Sequence, residues 1–82
     1  MQRIEWTPKA LRQIRKIKDQ KDREMIYNAV DGLQSFPKCL NVKKLKGCEE
    51  YRLRISRWRV LFRIYREILL IYEVKKRDEH TY

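Results

Sequence analysis

Three arginines that alternate with apolar residues on predicted strands give the clearest chemical signal in this sequence of 82 residues. Arg52 and Arg54 alternate with the apolar side chains of residues 51–55, and Arg59 alternates with those of residues 58–64. Because successive side chains of a strand point to opposite faces of a sheet, we expect the three arginines to share one face. Guanidinium groups donate paired hydrogen bonds to phosphate. The spacing therefore predicts a sheet face that binds a polyanion.

The net charge of +10 strengthens this prediction because the charge is concentrated in the same part of the chain. Residues 37–82 hold 13 of the 21 basic residues against six acidic ones, whereas residues 1–36 hold eight against five. A polyanion releases counterions when it meets clustered lysine and arginine. The bases from Lys9 to Arg23 fall on predicted helices, where a solvated surface is the usual role and contact with a nucleic acid is the alternative.

The amino-terminal half predicts a strand followed by two antiparallel helices. Alternation over residues 2–6 indicates the strand, and Thr7 with Pro8 can cap and begin a helix. Two apolar stripes of helical spacing follow, separated by the polar run 18–22: Ala10, Leu11, Ile14 and Ile17, then Met25, Ile26, Ala29, Val30 and Leu33. The second helix must end before Pro37, and a basic connection over residues 41–47 leads out of it.

The carboxy-terminal half predicts a meander of three strands. A tight turn at Ser56-Arg57 joins residues 51–55 to residues 58–64, and a second turn leads to residues 68–74. This last run is apolar on both faces, as expected of a central strand. Its Tyr72 and the preceding strand's Phe62 are expected in the core, as alternating strand aromatics usually are, whereas Trp58 can pack either way.

We therefore predict one α+β domain over residues 1–82. It consists of an amino-terminal strand and a helical hairpin packed on one face of a mainly antiparallel twisted sheet. The opposite face stays open and displays Arg52, Arg54 and Arg59 together.

Composition argues against several other classes of protein. Cys39 and Cys48 lack the paired spacing and the histidine partners of a zinc site, so we predict no metal and no small-molecule cofactor. No stretch approaches the roughly 20 apolar residues that cross a bilayer, and residues 1–5 lack the apolar core of a signal peptide. We expect a cytoplasmic protein with reduced thiols and no membrane partner.

Four segments together carry a resemblance to a known superfamily: Leu45-Lys46-Gly47, Tyr51-Arg52-Leu53-Arg54, Trp58-Arg59-Val60-Leu61-Phe62, and Val74-Lys75-Lys76-Arg77 before Tyr82. With the amino-terminal strand and helical hairpin, they resemble the RelE/ParE toxin superfamily over essentially the whole chain. The resemblance implies a toxin of a type II toxin–antitoxin system, held inactive by a cognate antitoxin protein.

The superfamily has two branches that share the arginine-bearing hairpin. RelE-like members are ribosome-dependent endonucleases that cut messenger RNA in the ribosomal A site, whereas ParE-like members poison DNA gyrase. Arg77 and Tyr82 match an arginine and a tyrosine that serve catalysis in RelE-like toxins, which favours the nuclease branch. The ribosome and messenger RNA would then be partners. RelE-like members usually carry lysines where this chain has Arg52 and Arg54, and arginine does not act as a proton acceptor.

The resemblance also implies roles for individual residues in metal-independent RNA cleavage. The ribose 2′-hydroxyl attacks the adjacent phosphorus and leaves cyclic phosphate and 5′-hydroxyl ends, which requires a base, charge stabilisation and an acid. We assign the base to Tyr82, the scissile phosphate to Arg59 and Arg77, and assistance at the leaving group to Arg54. Docking of the RNA backbone is assigned to basic residues near the strands: Arg52, Lys46, Lys43 and Lys44.

Two alternatives concern the base. His80 has an unperturbed pKa of about 6.5, which suits acid–base chemistry. Glu49 and Glu50 are carboxylates close to the first arginine strand, but a solvated turn explains them more simply. A third functional alternative, beside nuclease and gyrase poison, is an inactive RNA-binding member of the fold.

Overall fold

The computed structural model describes residues 3–35, 42–44 and 50–76. The elements run β1 (Arg3–Trp6), α1 (Pro8–Arg15), α2 (Gln20–Asp31), a 3₁₀ turn (Gly32–Ser35), β2 (Val42–Lys44), β3 (Glu50–Ile55), β4 (Trp58–Tyr65) and β5 (Ile68–Lys76). This order confirms the α+β class, the helical hairpin and the three-strand meander. The prediction of a plain connection over residues 41–47 is wrong for residues 42–44, which pair with β3 as a short edge strand.

The sheet has the order β1-β5-β4-β3-β2. β1 is parallel to β5, and the other neighbours are antiparallel. β5 is therefore a central strand, as its apolar sequence predicts, because β1 pairs with one edge and β4 with the other.

Side-chain caps begin both helices. The hydroxyl of Thr7 accepts a hydrogen bond from the amide of Ala10 at 3.1 Å, and Pro8 follows as the first helical residue. A carboxylate oxygen of Asp19 accepts from the amide of Lys21 at 2.9 Å. α2 therefore begins inside the polar run, where Asp19 satisfies one of the free amides of the first turn.

The core lies between the helical hairpin and one face of the sheet. The buried side chains from the helical side are Ala10, Ile14, Ile17, Ile26, Val30 and Leu33, and those from the sheet are Leu53, Ile55, Val60, Phe62, Leu69, Ile71 and Val74. Phe62 is fully buried and stacks on Tyr51 with ring centroids 5.4 Å apart. Each large apolar side chain removed from water contributes roughly 1.5–3 kcal/mol to folding.

A β-bulge in β5 interrupts the alternation of side chains. Leu61 of β4 pairs with Glu73, but the next residue, Phe62, pairs with Ile71, so Tyr72 is an additional residue. The expectation that Tyr72 belongs to the core is wrong, because its hydroxyl donates to Glu50 of β3 at 2.8 Å, outside the core cluster. A bulge re-aims side chains in this way.

Helix α1 contributes a polar contact next to this bulge. The side-chain oxygen of Gln13 accepts a hydrogen bond from the amide of Val74 at 2.7 Å. We expect Gln13→Leu to lower the free energy of unfolding by about 1–3 kcal/mol, because the part-buried amide loses its acceptor. Urea denaturation measures this loss. The control is Gln34→Leu at an exposed position, and equal effects of the two substitutions would contradict the prediction.

Candidate nucleic-acid interface

The sheet face opposite the helices, which we call the open face, carries a row of three cations. Arg54 of β3 pairs with Arg59 of β4, and Arg59 pairs with Lys75 of β5. Paired residues of antiparallel strands have Cα atoms about 4.5–5.5 Å apart. This cationic row confirms that Arg54 and Arg59 share one face. Arg52 lies one pleat further along β3, opposite Leu61.

The members of the cationic row form no ion pair within the described part of the chain. Among residues 3–35, 42–44 and 50–76, no carboxylate lies within ion-pair distance of Arg54, Arg59 or Lys75. Like charges directly opposite each other destabilise a sheet. A local conflict of this kind is typical of a functional site, and neighbouring cations without ion-pair partners are the side chains that an anion-binding site requires.

Arg52 and Arg59 are half-buried, and the Nε atom of each is shielded from solvent without a hydrogen-bond partner among the described residues. Leu61 explains this burial. It is only 9% exposed although it lies outside the core cluster, between the register positions of Arg52 and Glu73. The aliphatic stems of long charged side chains cover apolar surface in this way. Such packing restricts the two guanidinium groups before any ligand binds.

The tip of the β3–β4 hairpin is tied to α2 by Asp22. The indole nitrogen of Trp58 donates to Oδ2 of Asp22 at 3.1 Å, and Nη2 of Arg57 lies 3.9 Å from the same oxygen. The Asp22 side chain is 15% exposed. This contact decides the orientation of Trp58, which the sequence left open: its ring packs against the core cluster. The role of Asp22 was not predicted from the sequence, because this residue lies in a polar run.

A second polar cluster occupies the open face further along β4. Oε2 of Glu50 accepts from Nη2 of Arg63 at 2.9 Å, and Oε1 accepts from the Tyr72 hydroxyl. The Arg63 guanidinium lies 5.2 Å from the centroid of the Tyr72 ring. Burial, followed by the hydrogen bond to Glu50, raises the pKa of Tyr72 from 10.0 to about 12. Glu50 was expected in a solvated turn, which is wrong because it begins β3 and pairs there.

The remaining candidate residues divide into two groups. The backbone places Lys43 opposite Arg52 and Lys44 opposite Tyr51 in the β2–β3 ladder. Four candidates lie outside the described residues: Lys46, Arg77, His80 and Tyr82. Their roles stay predictions.

The described residues offer neither a membrane span nor an evident metal site. No helix within residues 3–35, 42–44 and 50–76 is long and apolar enough to cross a bilayer. The same residues include no group of three or more histidine, cysteine, aspartate or glutamate side chains placed to hold a metal ion.

Solved structures of RelE and YoeB toxins share this fold. The isolated E. coli RelE toxin matches with a TM-score of 0.82 and 18% identity, covering 98% of this chain and 88% of that chain. The RelE–RelB complex of Pyrococcus horikoshii OT3 matches with a TM-score of 0.80 and 18% identity, covering 96% and 98%. The YoeB dimer of Staphylococcus aureus matches with 0.75 and 18%, covering 99% and 98%. A comparison with curated protein sequences found no match.

The fold is thus that of RelE-type toxins, and a family model extends the likeness to sequence. The family described as the ParE toxin of the type II toxin–antitoxin system parDE matches residues 4–81. The chain therefore belongs to the ParE toxin family, within the RelE/ParE superfamily that the sequence motifs indicate. It is a toxin of the type II class.

The contact between Asp22 and Trp58 predicts a measurable coupling. We expect Asp22→Ala to lower the free energy of unfolding by about 1–3 kcal/mol, because it leaves a part-buried indole N–H without an acceptor. In the Trp58→Phe background, the same substitution should cost less, and a double-mutant cycle by urea denaturation measures the difference. Asp31→Ala, at an exposed position of the same helix, is the control. Additive effects of the Asp22 and Trp58 substitutions would contradict the prediction.

The raised pKa of Tyr72 predicts a pH dependence of stability. We expect Tyr72→Phe to lower the free energy of unfolding at neutral pH by about 1 kcal/mol, because it removes the donor to Glu50. Since folding raises the pKa of this phenol from its ordinary value of 10.0 to about 12, the contribution is complete below pH 10 and is lost as the pH approaches 12. Urea unfolding of both proteins across this range should show the difference narrowing. A constant difference would contradict the assignment.

Proposed function

We propose that this toxin is a ribosome-dependent, metal-independent endoribonuclease that cleaves messenger RNA in the ribosomal A site and so inhibits translation. The observation that carries the proposal is the cationic row, which joins Arg54, Arg59 and Lys75 on an open sheet face without a carboxylate partner among the described residues. Preorganised cations of this kind stabilise the charge that develops on a phosphorane.

The proposed reaction begins with attack of a ribose 2′-hydroxyl on the neighbouring phosphorus. Arg59, with Arg77, holds the scissile phosphate and stabilises the charge on its oxygens, while Arg54 assists at the leaving 5′-oxygen. The P–O bond to that oxygen breaks, leaving a cyclic phosphate, and a proton from water then gives the 5′-hydroxyl end, because Arg54 stabilises the charge on the oxygen and keeps its own proton.

The proton of the attacking hydroxyl requires a separate base, because arginine stays protonated in proteins. We assign it to Tyr82, whose phenol has an ordinary pKa of about 10 that nearby positive charge would lower. His80 is the alternative. Tyr72 does not fit this role, because its pKa is raised to about 12 and its proton is donated to Glu50.

Arg52 and the lysines near β2 would dock the nucleic-acid backbone. The backbone of Lys43 pairs with that of Arg52, and this pairing supports a basic surface that runs from the cationic row toward the β2 edge. Lys46 would extend it, whereas Lys44 pairs with Tyr51, so its register position falls on the opposite face of the sheet. Contacts to phosphate position a strand without reading its sequence.

A cognate antitoxin is the proposed protein partner, and the cytoplasm the proposed location. Structures of RelE-type toxins with RelB antitoxins are among those with the same fold. An acidic segment that folds on binding would complement a toxin of net charge +10. We propose that it covers the arginines of the open face or displaces the residues after β5.

A gyrase poison without nuclease activity is the second candidate. The match to the ParE toxin family favours it, since the resemblance stated above associates that branch with gyrase. The two candidates differ in whether Arg59 and Tyr82 act on RNA.

Primer extension on a defined messenger RNA, with and without translating ribosomes, tests the proposal. We expect breaks within codons only when ribosomes translate. Arg59→Ala should reduce the cleavage rate about a hundredfold or more, because it removes a preorganised donor. Arg15→Ala, an exposed arginine of α1, removes the same charge and should retain most activity.

Tyr82→Phe should abolish most cleavage if Tyr82 is the base. Full activity of that variant would reassign the base, with His80→Ala as the next test. Intact RNA in all reactions, together with inhibition of DNA supercoiling by purified gyrase, would establish the second candidate instead.

A further inference from the structure

A groove of about 580 Å³ lies on the open face beyond the cationic row. The residues that matter in its lining are Glu5, Glu50, Arg63, Tyr65, Ile68 and Leu70. Arg59, Arg63 and Tyr65 are separated by even numbers of residues along the same strand and so share its open face. At about 3.3 Å per residue, Arg63 lies roughly 13 Å from Arg59. A strand held at the cationic row can therefore reach the groove within a few nucleotides.

The charges in the groove differ from those of the cationic row. Glu50 is paired with Arg63, and Glu5 accepts from Nε of Arg3 at 3.1 Å. These pairs cancel most of the local charge, whereas the cations of the row have no such partner among the described residues. Phosphate is thus attracted to the row, and the groove favours an uncharged group with hydrogen-bond donors.

The walls of the groove suit a flat aromatic ring. Tyr65 is 65% exposed, although most large apolar side chains of the described residues are not. Ile68 and Leu70 supply apolar surface, and Arg63 supplies a planar guanidinium held by Glu50 and Tyr72. Unpaired RNA bases stack on aromatic rings and on guanidinium planes while their edges form hydrogen bonds.

Glu50 retains a capacity to accept further hydrogen bonds. Each of its oxygens accepts one hydrogen bond within the protein, from Tyr72 or Arg63, and a carboxylate oxygen can accept a second. The Watson–Crick edge of guanine presents two adjacent donors, N1–H and the 2-amino group. No other standard RNA base presents two adjacent donors on that edge.

We propose that this groove binds an unpaired guanine of the RNA strand whose phosphate lies at the cationic row. Tyr65 stacks on the base, and Glu50 accepts from its edge. The inference rests on the proposed function, because it takes the ligand of the cationic row to be RNA. It adds a preference for sequence that contacts to phosphate alone do not provide.

Fluorescence anisotropy with short single-stranded RNAs tests the groove without ribosomes. The probes are an oligouridylate, the same strand with one guanosine at successive positions, and the same strands with inosine, which lacks the 2-amino group. We expect guanosine at one position to tighten binding about tenfold, the scale of a bidentate contact to a base, and inosine to lose most of this gain.

Two substitutions separate base reading from stacking. Glu50→Gln should reduce the preference for guanosine to about twofold or less, since it replaces one acceptor oxygen by a donor. Glu24→Gln, at an exposed position of α2, changes the net charge equally and should keep the preference. Tyr65→Ala should weaken binding of the uridine and guanosine strands alike, because stacking tolerates any base.

Amide NMR shifts of Ile68 and Leu70 in the unsubstituted protein give a measurement that does not depend on the variants. They should move on addition of either strand, because both bases stack on Tyr65, and they should move further with the guanosine strand at equal strand concentration because it binds more tightly. RNA binding without a preference for guanosine, or a preference that survives Glu50→Gln, would contradict the proposal that the groove binds guanine, while the proposed nuclease function would stand.

Failure of the proposed function would look different. It would show as the absence of both RNA binding and ribosome-dependent cleavage, and that result would contradict guanine binding in the groove as well. If Tyr65→Ala leaves RNA binding intact and weakens the complex with the antitoxin, the groove belongs to the protein partner and the proposal is wrong.

Discussion

The packing of the helical hairpin on one face of the sheet fixes the direction of the side chains on the other face. β3, β4 and β5 place Leu53, Phe62 and Ile71 in the core, so the residues that alternate with the core side chains along each strand must face outward. A slip of one residue in register would bury the arginines and expose the core side chains, at a large cost in free energy. The hydrophobic core and the cationic row are therefore specified by the same register.

Charge is sorted along the open face rather than spread over it. Near the hairpin tip, Arg54, Arg59 and Lys75 lie side by side on neighbouring strands. Further along β4, the charge of Arg63 is neutralised by Glu50. Repulsion within the row opposes folding, and burial of apolar surface elsewhere must offset it. The same strand thus presents a strongly cationic region and a nearly neutral groove, which is a suitable arrangement for a polymer with charged and uncharged parts.

Polar side chains of the helices join the two layers of the fold at particular points. Gln13 of α1 accepts from the backbone of β5 next to the bulge, and Asp22 of α2 holds Trp58 at the start of β4. Both contacts link residues far apart in sequence. They make the geometry of the open face depend on the helices, although the helices lie on the opposite side of the sheet.

Local patterns in the chain were sufficient to predict the class of fold, the order of the main elements and the shared face of Arg52, Arg54 and Arg59, because burial enforces alternation in strands and helical spacing in helices. The sequence motifs also indicated the superfamily. The strand at residues 42–44, the position of Tyr72 and the partners of Asp22 and Glu50 were not predicted. These depend on tertiary structure: a short edge strand needs its neighbour, a bulge needs the register between two strands, and a hydrogen bond between distant residues exists only once the layers have packed.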